Sequence, residues 1–250
     1  MTLTGKHALV TGGGTGIGLA IAQALRDEGA VVTITGRRQE VLEDAAQGTM
    51  TALTMDVRDE ADVAAKIGAA VEKNGPIQIC VPNAGIAEGR AIHKTTLEFW
   101  RNMMATNLDG VFLTVRESLT SMRQTDWGRV IVISSVAGLR GLKGAACYSA
   151  TKHGVIGLTR ALSEDYLGQP YTFNAICPAY VDTPIIDRNM DSISKRTGMS
   201  QEDARDVMVK LNRHERLITP DEIAAAALWL VRPGSESVNG QTIEIGGGQM

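Results

Sequence analysis

"TGGGTGIG", residues 11–18, decides how the rest of the chain is read. It follows the short apolar run "HALVT" (7–11) and opens an amphipathic pattern that extends from Gly16 to about Glu28. Glycine lets a backbone turn with positive φ and removes the Cβ that would hold a bound group at a distance. A helix starting directly behind such a turn offers unpaired N–H groups and the positive end of its dipole, which together hold a pyrophosphate. A glycine-rich string alone is weak evidence. Between the first strand and the first helix of a βαβ unit it is strong evidence for a dinucleotide.

Beyond the loop, short β-branched or apolar runs alternate with longer helical patterns. Strands are predicted at "AVVTIT" (30–35), "TALTMD" (51–56), "IQICV" (77–81), "RVIVIS" (129–134), "TFNAIC" (172–177) and "QTIEI" (241–245), with a helix near 38–46 and others between the later strands. Helices of this length between strands imply crossovers, hence a parallel sheet covered on both faces. The expected class is α/β: a single-domain, doubly wound Rossmann fold with a seven-stranded parallel sheet over residues 1–250. One stretch breaks the rhythm. Residues 183–217 are charged, contain Met190, Met199 and Met208 beside Arg188, Lys195, Arg196, Arg205 and Arg213, and carry no strand pattern. An insertion of this length late in a compact domain is expected to be a helical substrate lid.

Composition narrows the function classes. A hydrophobic share of 44% and a mean hydropathy of -0.03 are those of a soluble chain with a sizeable core. A net charge of -3 without any basic block argues against nucleic acid as a partner. No apolar run suggests a membrane span or a signal peptide. The cysteines Cys80, Cys147 and Cys177 are odd in number and widely spaced, which argues against a disulfide framework and for a cytoplasmic location. The histidines His7, His93, His153 and His214 are scattered, and no metal set is expected.

The loop spacing, Gly12-xxx-Gly16-x-Gly18, resembles the TGxxxGIG of the short-chain dehydrogenase/reductase family, and the resemblance continues along nearly the whole chain. "PNAG" (82–85) is similar to the family's NNAG, and Asn107 in "ATNLDG" matches its helical asparagine. Ser135 in "ISSVAG" stands thirteen residues before Tyr148, "YSATK" (148–152) matches YxxxK, and "CPAYVDTP" (177–184) resembles PGxxxT. Two positions depart from the pattern: Pro82 replaces the first asparagine, and Ala179 replaces the glycine after Pro178. The first is expected to alter local hydrogen bonding without loss of binding; the second is strained only if φ there is positive.

The resemblance implies a hydride transfer between a nicotinamide cofactor and a ketone or secondary alcohol, with Asn107, Ser135, Tyr148 and Lys152 as the catalytic set. The chemistry of the residues agrees. Reduction of a carbonyl leaves an alkoxide that must gain a proton. Tyrosine titrates near pH 10, and an ammonium one helical turn away at Lys152 is expected to favour its phenolate. Ser135 would donate to the substrate oxygen, with Ser134 as the competing candidate. In the family the asparagine holds a water that links the lysine to solvent. The cofactor contacts implied are Gly12, Thr15, Gly16, Ile17, Gly18, Arg37, Arg38, Asp56, Val57, Asn83, Ala84, Gly85, Tyr148, Lys152, Pro178, Val181 and Thr183.

The end of the second strand reads "TITGRRQE", with Gly36 where an NAD site usually places a carboxylate, followed by Arg37 and Arg38. The expected cofactor is therefore NADP(H), with NAD(H) as the alternative; Thr15 speaks the other way, since many NADP-binding relatives carry a basic residue there. "YSATKHGVIGLTRAL" looks most like 3-oxoacyl-thioester reductases and 3-hydroxybutyrate-type dehydrogenases, and the resemblance implies a homotetramer. Three alternatives stay open: a dinucleotide sensor without turnover, an NAD-dependent alcohol-oxidising member of the same family, and an epimerase or dehydratase on the same fold.

Overall fold

The computed structural model describes residues 3–248; the side chains of Arg188, Asn189, Ser192, Ile193, Lys195, Arg196 and Thr197 also lie outside what is described. Seven parallel strands, β1 (His7–Thr11), β2 (Val31–Gly36), β3 (Thr51–Thr54), β4 (Ile77–Val81), β5 (Gly128–Ile133), β6 (Tyr171–Pro178) and β7 (Thr242–Ile245), lie in the order β3-β2-β1-β4-β5-β6-β7. This is the seven-stranded, single-domain Rossmann fold expected from the sequence.

Every central strand is apolar on both faces, because both are covered. In β1, Ala8 and Val10 join one core with α1 (Gly16–Asp27), α2 (Gln39–Ala46) and α9 (Pro220–Val231). Leu9 points the other way, into a second core with α3 (Glu60–Asn74), α5 (Gly110–Met122) and α6 (Ala146–Asp165). In β5 the same period of two sends Ile131 and Ile133 to the first core, Val130 and Val132 to the second. The remaining helices are α4 (Leu97–Met104), α7 (Pro184–Thr197) and α8 (Gln201–Val209).

The third strand is shorter than its apolar pattern. It ends at Thr54 because its one neighbour, β2, ends at Gly36, which is Thr54's partner. Asp56 N–H then donates to the Asp62 carboxylate instead of to a strand, at 2.8 Å.

Sheet order reverses between β1 and β4, the point where open α/β sheets leave a crevice at their carboxyl ends. The glycine loop leaves β1 there and residues 82–85 leave β4. Helix caps divide along the same line. The N-termini of α3, α4, α8 and α9 are capped by the side chains of Asp59, Thr96, Ser200 and Thr219. Those of α1, α2, α6 and α7 have no side-chain cap, and their N-cap residues Thr15, Arg38, Ala145 and Thr183 all line the clefts at the crevice; α5 also lacks one, but it runs on from the helical turn Ala105–Asp109. Among the described residues no helix is long and apolar enough to cross a membrane.

Candidate active site

Two adjoining clefts open at the crevice. The first is lined by Gly12, Thr15, Gly36, Arg37, Arg38, Asp56, Val57, Ala84 and Gly85, with Ile86 at its inner end. The second continues from Ala87 past Ile17, Ser134, Ser135, Tyr148, Pro178, Ala179, Tyr180, Val181 and Thr183. All but three of the sequence-predicted residues thus line one cleft or the other or, for Gly16 and Gly18, form the loop between them; Asn83, Asn107 and Lys152 lie beneath.

The glycine loop is built around Asn83. Its side-chain amide donates to the Thr11 carbonyl at 2.9 Å, while the Asn83 and Ala84 N–H groups both donate to Thr11 Oγ1 at 3.0 Å. Gly12 has φ +65°. A Cβ at Gly18 would stand 2.4 Å from the Asn83 amide nitrogen and from the Gly12 carbonyl oxygen, so both turns of the loop exclude larger residues. The result is a bare backbone cradle under an α1 N-terminus with no side-chain cap. The residues present fit a pyrophosphate there.

At the far end of this cleft, Gly36 makes no such demand. Its backbone lies outside the left-handed region, and a Cβ would meet only Leu42, at an ordinary 3.5 Å. Arg37 makes no hydrogen bond or ion pair among the described residues. Asp56, expected to face the cofactor's adenine, gives its carboxylate to Arg58 in a bidentate pair with contacts of 2.6, 3.0 and 3.1 Å, which holds its pKa below the usual carboxylate range. Arg58 is a cleft residue that the family motifs do not mark; its place directly after Asp56 and Val57 was its only signal.

The second cleft is lined by Ser135 and Tyr148 of the expected catalytic set, with Lys152 beneath. The Ser135 hydroxyl accepts from Ala137 N–H at 3.1 Å. Ser134 is turned away from that role: its hydroxyl donates to the Lys152 carbonyl at 3.1 Å. Lys152 is buried and donates to the Ile133 carbonyl at 2.9 Å. Here the structure reverses a sequence expectation. Tyr148 is pushed above its ordinary pKa by desolvation, and the ammonium of Lys152 is itself pushed down to about 8 by burial.

Asn107 sits in a π-helical turn, Ala105–Asp109, between α4 and α5, so the helix is disturbed at this residue, as its helix-averse side chain implies. Its amide clamps Ile86 from both sides, accepting from the N–H and donating to the carbonyl at 2.8 Å each, and reaches Thr151 Oγ1 at 3.3 Å. With the side chain engaged in this way, any link from Asn107 to Lys152 must leave from its main chain.

These features coincide with a known pattern: residues 6–193 match the family model described as short chain dehydrogenase. The chain is a short-chain dehydrogenase. A putative ketoacyl reductase of Streptomyces coelicolor is 35% identical over 255 residues, covering 99% of this chain and 98% of that protein. A D-beta-hydroxybutyrate dehydrogenase of Cupriavidus necator is 33% identical, covering 98% of each. Among solved structures, a variant of actinorhodin polyketide ketoreductase with NADPH superposes with a TM-score of 0.94 at 34% identity, covering 98% of each chain. As a member of this family the protein is an oxidoreductase that moves hydride between a nicotinamide cofactor and a carbonyl or alcohol substrate.

Both departures from the family motifs are accommodated in this dehydrogenase. Pro82 lacks an N–H but keeps its carbonyl, which accepts from Ile133 N–H at 3.0 Å. Ala179 is not among the residues with positive φ and pairs with β7 through Ile245, so its methyl carries no backbone strain. Of the three methionines expected over the substrate, Met208 lines the cleft, Met190 is packed with Ile186 and Leu217, and Met199 is exposed at the α7–α8 turn. Arg188, Lys195 and Arg196 lie outside the described side chains. Among the described residues there is no group of three metal-ligating side chains.

Proposed function

We propose that this dehydrogenase is an NADP(H)-dependent reductase of ketones of the 3-oxoacyl kind, with Tyr148 as its proton donor. One observation carries the reading: Ser135 and Tyr148 line the same cleft, beside apolar residues such as Ile17, Val136, Leu142 and Ile186, and that cleft adjoins the arginine-edged nucleotide cleft. When bound, the reduced nicotinamide supplies a hydride to the carbonyl carbon. Ser135 and Tyr148 hold the carbonyl oxygen, and Tyr148 passes its proton to that oxygen as negative charge develops. Lys152, beneath the phenol, stabilises the tyrosinate that remains. Asn107 fixes the strand-end loop at Ile86 against α6. In the reverse direction the same groups remove the proton from an alcohol.

NADP(H) rather than NAD(H) follows from Gly36, which leaves no carboxylate to repel a 2′-phosphate, and from Arg37, free to form charge-assisted hydrogen bonds to it. The relatives support this reading, since a ketoreductase of the same fold was crystallised with NADPH. Gly12, Thr15, Gly16, Ile17 and Gly18 would hold the pyrophosphate; Asp56, Val57, Asn83, Ala84 and Gly85 the adenosine side; Pro178, Val181 and Thr183 the nicotinamide. The α7–α8 segment within 183–217 acts as a substrate lid, supported by Ile186 and Met208 in the cleft wall. The three buried free cysteines suit a cytoplasmic location. Trp229, exposed on α9, suits a homotetramer interface, which light scattering would exclude by finding a monomer.

The experiment is a panel of ketones and 3-oxoacyl thioesters followed by absorbance change with NADPH and NADH. Turnover of ketones with NADPH preferred is the expected result. No turnover of any carbonyl with cofactor bound would favour the sensor reading instead.

A further inference from the structure

The substrate cleft has a second polar pole that the reacting groups do not use. Tyr180 lines it together with Ser135 and Tyr148, and lies near enough to Tyr148 for the charge of one phenolate to oppose the other. Burial pushes the Tyr180 phenol above its ordinary pKa, so at neutral pH it is an O–H donor. No protein group among the described residues accepts from that hydroxyl; the hydrogen bonds of Tyr180 are made by its main chain. A donor in a partly dry cleft gains most from an acceptor on whatever enters.

That main chain is held firmly. Asn212, fully buried, accepts from Tyr180 N–H at 3.0 Å and donates to the carbonyls of Tyr180 at 2.8 Å and Arg216 at 2.7 Å. Ile218 N–H donates to the same Tyr180 carbonyl at 3.0 Å, and Val181 pairs with Ile218. Asn212 therefore closes the neck where the α7–α8 segment leaves and rejoins the domain, and fixes residue 180 without itself lining the cleft.

We infer that Tyr180 donates a hydrogen bond to a second oxygen of the substrate, a few bonds from the carbonyl held by Ser135 and Tyr148, with Asn212 as the residue that positions it. The substrate class is then 1,3-dioxygenated: a 3-oxo ester, a 3-oxo thioester or a 1,3-diketone. The apolar wall formed by Ile17, Val136, Leu142, Ile186 and Met208 accommodates the carbon chain. This inference rests on the ketone-reductase reading and adds to it the residue that would select a 3-oxoacyl substrate over a simple ketone.

The test compares ethyl acetoacetate with the alkyl ketone of equal length, using NADPH and the full chain, and reads the ratio of their kcat/KM values. Tyr180→Phe, which leaves the main-chain bonds to Asn212 in place, should lower that ratio about tenfold, the scale of one neutral hydrogen bond. Asn212→Ala should lower it in the wild-type background and add nothing in Tyr180→Phe. Asn212→Asp, which keeps the acceptor for Tyr180 N–H, replaces it should the alanine variant not fold, with the same expectation. An unchanged ratio in Tyr180→Phe overturns the donor assignment. An equal fall caused by the Asn212 variant in both backgrounds overturns its positioning role. A wild type that reduces neither compound removes the ketone-reductase reading and this one with it.

Discussion

The Lys152 ammonium lies 5.7 Å from the centre of the Tyr148 ring, one turn along α6, with its proton donated to a main-chain carbonyl of β5. Lys152 is buried and Tyr148 is half-buried in the cleft wall, and desolvation drives both toward their neutral forms. A phenol kept protonated at neutral pH is ready to give its proton to a developing alkoxide. Tyr148→Phe removes that proton but little volume. Turnover should fall at least ~100-fold, with NADPH affinity by fluorescence titration largely intact. Near-normal turnover would remove Tyr148 from the mechanism.

The depressed Lys152 makes stability depend on pH. Its folded pKa of about 8 lies below its ordinary 10.5, so above pH 8 the unfolded chain binds more protons than the folded one. Stability of the cofactor-free protein therefore rises with pH there, by up to about 1.4 kcal/mol per pH unit. Cys80, Cys177 and Tyr148, all shifted upward, act with the opposite sign above their ordinary values of 9.0 and 10.0. The clean window is thus roughly pH 8 to 9. Melting curves of wild type against Lys152→Met across that window should show a rise in the first that is missing in the second; identical pH profiles would contradict the assignment.

Arg37→Ala should weaken NADPH binding by about 1.5–3 kcal/mol, the range of hydrogen bonds to a charged group, and hardly affect NADH. Calorimetric titration with each dinucleotide separates the cases. Equal losses, or a wild type that prefers NADH, would defeat the NADP(H) reading.

The lid reading predicts a boundary within 183–217. Asn212 and Ile218 anchor its exit, so their hydrogen-bonded, buried amides should exchange slowly with or without ligand. The α7 and α8 amides should exchange faster in the free protein and slow when NADPH and substrate are added. Protection of α7 and α8 equal to that of β5 in the free protein would rule a lid out.

Much of this was legible in the sequence. The period of two in β1 and β5 and the glycine spacing pointed to the sheet and its cradle, and Ser135 and Tyr148, expected to work together, line one cleft. What stayed hidden depends on distances between segments far apart in the chain. The direction of the Tyr148 shift required knowing how deeply α6 is buried. The pairing of the Asp56 carboxylate with Arg58 depended on the rotamer of the arginine. The grip of Asn212 on Tyr180 spans thirty-two residues with no periodic pattern to signal it.

Gly18 and Gly36 look alike in the sequence and differ in what they permit. At Gly18 the loop is closed to any side chain, so that position cannot drift without losing the cradle. At Gly36 the backbone is ordinary and a Cβ has room. Every glycine codon lies one base change from an acidic one. A lineage carrying this chain therefore stands a single base change from a carboxylate at the end of β2, at a place where the backbone and the first side-chain carbon meet no obstacle.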